Sequence, residues 1–117
     1  NGQVNDVFYY YREQAALKAR QYQRALDDIA KAVELNPADL TYQAENAVVN
    51  LRVGRYEKAI EILNGILKNN PKYGEAYRLL GLCQVQLKKT DEACANFKKA
   101  KELGDPNVDE LIKKYCK

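Results

Sequence analysis

Between Gly54 and Pro71 the apolar residues Ala59, Ile60, Leu63, Ile66 and Leu67 fall at helical spacing. Gly54 breaks the chain before them and Pro71 ends the segment, so the pattern predicts a helix from about Tyr56 to Asn69. Versions of this stretch recur 34 residues away on either side: Ala25, Ala59 and Ala93 align, as do Ile29, Leu63 and Phe97, and Pro37 with Pro71. A period of this length means stacked supersecondary units that share one continuous core. The units are 6–39, 40–73 and 74–107, each long enough for two helices and two short turns.

The end signals support the division. Asp39 is positioned to cap a helix running to about Arg52. In the third unit the helices are expected from about Gly74 to Leu87 and from about Thr90 to Leu103, with Thr90 as cap and Gly104 after the last turn. Asp105 and Pro106 then open a seventh helix over 106–116, whose Val108, Leu111, Ile112 and Tyr115 share a face. That helix is read as a lid over the apolar flank of the third unit, because solenoid ends need a polar outer surface.

The first unit departs from the others. Arg12 and Glu13 stand where leucine and a small residue are expected, so its first helix is either shifted or an end piece. Phe8-Tyr9-Tyr10-Tyr11 is too aromatic to lie wholly in water, since a helix spreads four consecutive residues around its circumference. Either something upstream covers this run or it is a contact surface.

Composition narrows the classes. The 117 residues are 46% hydrophobic and 30% charged, with a net charge of +3, which suits one soluble domain with a core. No apolar run approaches the roughly 20 residues of a membrane span, so no membrane insertion is expected. The sequence begins at Asn1 and holds no methionine, which leaves the compartment unknown and reads as the C-terminal part of a longer protein. There is no histidine, no phosphate-cradling glycine loop and no serine, so the usual nucleophile and base sets are missing and the chain is not expected to be an enzyme. No cofactor and no metal are expected either. The lysines at 88–89, 98–101 and 113–114 alternate with acidic residues, and a pI of 8.7 falls short of a nucleic-acid footprint. Cys83 and Cys94 come level across the turn at Lys88-Lys89, where a bridge is geometrically conceivable. Three reduced thiols are the expected state, with Cys116 more exposed than the other two.

With period and hairpins in place, the residues resemble the tetratricopeptide repeat (TPR) family. The third unit carries Tyr77, Leu80, Gly81, Ala93, Phe97 and Ala100 at the positions of the family pattern, and the middle unit Ala47, Gly54, Tyr56, Ala59 and Pro71. The resemblance implies an all-α fold: a right-handed superhelical solenoid of three helix-turn-helix repeats plus a C-terminal capping helix. It also implies a non-catalytic scaffold whose concave groove binds a peptide or helix of a partner protein. Groove positions carried over are Tyr10, Gln14, Leu17 and Lys18, then Ala44, Val48, Leu51 and Arg52, then Arg78, Leu82, Val85 and Gln86. They form an apolar strip edged by amide and basic groups, suited to apolar side chains and one carboxylate near Arg52 or Arg78. Family members that hold acidic chaperone tails use Lys, Asn and Arg where this chain has Tyr10, Gln14, Glu45, Glu75 and Leu79, so chaperone tails are not expected as partners. Self-association as a homodimer through the aromatic N-terminal helix is the competing expectation.

Overall fold

The computed structural model describes residues 5–116. Among them the chain forms seven α-helices and no strand: α1 (Asp6–Lys18), α2 (Tyr22–Leu35), α3 (Leu40–Arg52), α4 (Tyr56–Asn69), α5 (Gly74–Gln86), α6 (Thr90–Glu102) and α7 (Asp109–Tyr115). The helices α1/α2, α3/α4 and α5/α6 pack as antiparallel hairpins, α2 on α3 and α4 on α5 join the hairpins, and α7 closes the end against α6. The result is an elongated right-handed solenoid of 55 × 28 × 22 Å.

The 34-residue period is kept in the backbone. Helices α1, α3 and α5 begin at 6, 40 and 74 and end at 18, 52 and 86. At each following turn one residue takes a left-handed conformation: Arg20 at φ 59°, Gly54 at 87° and Lys88 at 65°. Each turn closes with the same pair of bonds, as when Gly54 donates to Leu51 and Arg55 to Asn50, which satisfies carbonyls the helix end leaves free. Glycine adopts this conformation without strain, whereas arginine and lysine tolerate it at a cost.

Side-chain caps are used sparingly. Asn5 accepts from the Phe8 N–H and Asp39 from the Tyr42 N–H. Thr90 does not cap α6; it is the first helical residue, and Lys89 precedes it. The seventh helix is also shorter than expected. Asp105 accepts from Asn107 at 2.8 Å and from Arg78 at 2.9 Å, and this turn delays the helix to Asp109. Val108 nevertheless buries fully, with Leu111, Ile112 and Tyr115 packed around it against Phe97.

Close helix crossings follow the small residues. A Cβ placed on Gly81 would lie 2.3 Å from the Phe97 ring. Ala47 lies 34 residues earlier, in the cluster with Leu63, and Glu13 another 34 earlier. The first helix is therefore not shifted. Its glutamate occupies the small-residue position and is fully buried.

The expectation of three reduced thiols is not met. Cys94 is bridged to Cys116, with Cα atoms 5.3 Å apart, while Cys83 is free and buried. Cys83 faces α4 in the central cluster, whereas Cys94 lies on the side of α6 covered by α7. Residues level along a hairpin need not face each other. Burial pushes the Cys83 thiol up to about 11.

Candidate functional site

The first helix of each hairpin lies on the inner side of the solenoid, where α3 meets α5 directly. The twelve candidate groove residues are four positions repeated through α1, α3 and α5, and the fold treats them unequally.

One group converges. Gln14, Leu17 and Lys18 from α1 and Arg52 from α3 line a single cavity of about 190 Å³ together with Glu45. Lys18 and Arg52 are exposed, and neither makes an ion pair among the described residues. Val48 and Leu51 are half-buried against the central cluster, leaving part of each surface open. Tyr10 is half-buried, its ring 5.2 Å from Tyr42.

Other members do not join this group. Ala44 is only 3% exposed and belongs to the core, so it offers a ligand almost no surface. Leu82 and Val85 are half-buried against the cluster of α6 and α7, and Gln86 is exposed. Arg78 is already engaged, 2.9 Å from Asp105 and 3.8 Å from Glu75. Asp105 is itself nearly buried, which makes that pair a structural tie between α5 and the loop before α7.

The residue missing from the candidate list is Glu45, and behind it Glu13. Glu13 is fully buried, and neither of its oxygens accepts a hydrogen bond from a donor among the described residues. Burial, with Glu45 and Asp28 nearby, pushes its carboxyl up to about 9, so at neutral pH it holds its proton and donates toward Glu45. Burial likewise raises the Glu45 carboxyl, Glu75 adds to this, and Arg52 and the bond from Glu13 work against it. The Arg12 guanidinium meets Asp28 with two bonds of 2.8 and 2.9 Å, so Asp28 has its own counter-charge. The signal in the sequence was a charged residue in the slot that the later repeats fill with Ala47 and Gly81.

Stacked helical hairpins of fixed period, curved so that the first helices present one inner surface, define a helical-repeat solenoid. The tetratricopeptide repeat family model matches residues 16–83 and 50–111, and the chain belongs to that family. It is 32% identical over 99 residues to small glutamine-rich tetratricopeptide repeat-containing protein 2 of Mycosarcoma maydis, covering 85% of this chain and 28% of that protein. The chain therefore spans little more than a quarter of that relative's length. Among solved structures it resembles the first TPR of Spaghetti (RPAP3) bound to the HSP90 peptide SRMEEVD, with TM-score 0.82 and 20% identity over 96% of this chain and 90% of that one. It also resembles the second TPR domain of human RPAP3 in complex with the HSP70 peptide SGPTIEEVD, with TM-score 0.79 and 21% identity over 96% and 95% of the two chains. These neighbours count, in part, against the expectation that chaperone tails are not partners of this chain, since both are TPR domains of the same fold solved with such peptides. The comparisons lend no support to a homodimer. None of the helices among the described residues is long and apolar enough to cross a membrane.

Proposed function

We propose that this domain is a non-catalytic protein-interaction module that binds an extended peptide along its inner surface, with a peptide carboxylate seated between Lys18 and Arg52. The observation that carries this reading is the cavity lined by Gln14, Leu17, Lys18, Glu45 and Arg52. Two cations that make no ion pair among the described residues converge there with one amide and the carboxyl of Glu45, beside the half-open apolar surfaces of Val48 and Leu51. Charge-assisted bonds to a carboxylate are about twice as strong as neutral ones, and the guanidinium of Arg52 fits a carboxylate with two parallel bonds. Arg78 is not the partner of that carboxylate, because Asp105 and Glu75 hold it. The acid-ended peptides of the structural neighbours have the chemistry this arrangement favours.

Peptide-display selection on the immobilised domain, followed by calorimetry, tests the proposal, with SRMEEVD as the first defined probe. Selected peptides are expected to carry a carboxylate and to bind with Kd of about 1–100 μM. Arg52→Ala is expected to weaken them roughly 10-fold, which is about 1.4 kcal/mol. Selection of peptides whose affinity is indifferent to both Arg52→Ala and Leu51→Lys would refute the placement.

A further inference from the structure

The cavity that holds Lys18 and Arg52 also has an acidic wall. Glu45 lines it, half-buried and in no ion pair among the described residues. Behind Glu45 lies Glu13, fully buried, with no donor to either oxygen among the described residues. The other acids packed around this pair are already matched. Asp28 of α2 takes two bonds from Arg12, of 2.8 and 2.9 Å. Glu75 of α5 takes the Tyr73 hydroxyl at 2.9 Å and lies 3.8 Å from Arg78. Tyr10 of α1 also lies near Glu45, and burial together with that charge pushes its hydroxyl up, so it stays neutral.

Burial raises the Glu45 carboxyl, and the charge of Arg52 opposes that rise. A ligand carboxylate that takes Arg52 for itself removes this counter-charge and sets a second negative charge in the same cavity. Both changes favour a proton on Glu45. We propose that Glu45 couples the carboxylate seat to protons: a proton from solvent goes onto its carboxylate when an acid-ended peptide binds between Lys18 and Arg52, so the seat holds such peptides at about pH 6 and releases them toward about pH 8. The coupling rests on the carboxylate seat proposed for this groove. The complex then carries more protons than its separate parts, so binding weakens as pH rises through the value Glu45 has in the complex. Below about pH 4 the peptide's own carboxylates protonate, and binding is lost from that side as well. The chain has no histidine, the side chain that ordinarily titrates between about pH 5 and 8, so this acid pair is the source of a response near neutral pH.

Calorimetry with acetyl-SRMEEVD at pH 6, 7 and 8 tests the coupling; the acetyl group removes the peptide amine that would otherwise titrate in this range. At pH 7 the titration is repeated in phosphate and in imidazole, whose ionisation heats differ, and the difference in observed heat counts the protons taken up. The expected count is roughly half a proton per peptide, with Kd about 10-fold weaker at pH 8 than at pH 6. Glu45→Gln, which imitates the protonated acid, should abolish the uptake, hold Kd within about 2-fold across the range, and bind at pH 8 as tightly as the natural chain does at pH 6. Equal heats in the two buffers with a pH-independent Kd, in a complex that Arg52→Ala still weakens, would overturn the coupling and leave the seat standing. Undiminished uptake in Glu45→Gln would overturn the assignment to Glu45. Absence of binding at all three pH values would remove the seat and the coupling together.

Discussion

Replacing Glu13 by glutamine is expected to stabilise this protein at neutral pH and to flatten its stability across pH. The carboxyl is fully buried without a hydrogen-bond donor, and its value is pushed from 4.5 to about 9. An acid whose folded value lies above its unfolded one binds its proton more tightly in the native state. Its contribution is complete below pH 4.5 and is lost as pH rises toward about 9. Each pH unit in that window corresponds to about 1.4 kcal/mol, so the natural chain should lose about 3 kcal/mol between pH 4.5 and 7 through this one group. Glutamine has the same shape and no proton to recruit. Its amide donates one N–H to Glu45, and the other buried N–H costs about 1 kcal/mol. The net expectation is a gain of about 2 kcal/mol at pH 7 and near equality at pH 5. Urea unfolding followed by far-ultraviolet circular dichroism at pH 5, 6, 7 and 8 reads both quantities. If the variant lost stability with pH as steeply as the natural chain, or were the less stable of the two at pH 7, the reasoning about Glu13 would be wrong.

Gly81→Ala drives a methyl into the Phe97 ring, with a closest approach of 2.3 Å, and should lower stability by about 1–3 kcal/mol in the same assay. Titration of the unfolded, unreduced protein should find one thiol, from Cys83, and Cys116→Ser should cost about 2–4 kcal/mol by removing a bridge that spans 22 residues. Lys88→Gly relieves a left-handed lysine at φ 65° and should raise stability by about 0.5–1 kcal/mol, visible as a small rise in Tm.

The hairpins were legible because their signals are local and repeated. Asp39 caps α3 as its position promised, and α4 spans Tyr56–Asn69 where Ala59, Leu63 and Ile66 mark it. The misreadings came where a side chain had a distant partner. Asp105 looked like the cap of a helix starting at 106, but Arg78, 27 residues away, takes one of its oxygens and the helix starts three residues later. Cys94 was expected as a reduced thiol, with only Cys83 weighed as a partner, yet the direction of its side chain around α6 sets it against Cys116, 22 residues away. The candidate groove is four repeating positions in the sequence, and the structure brings only some of those residues together: Gln14, Leu17, Lys18 and Arg52 share a cavity, while Ala44 belongs to the core and Arg78 is held by Asp105.

A 34-residue period of apolar and small positions was enough to set the helices, their pairing into hairpins and the family, because each of those depends on contacts within one repeat or with the next. What the tertiary structure alone decided is which residues lose water. A glutamate in a small-residue slot is an oddity in the sequence; enclosed by α2 and α3 it becomes a carboxyl that keeps its proton. Four aromatics in a row are ambiguous in the sequence. In the solenoid Tyr10 packs against Tyr42 with the rings tilted, while Phe8 and Tyr11 are left exposed. Desolvation depends on everything that surrounds a side chain, and that is fixed only when the repeats have been stacked.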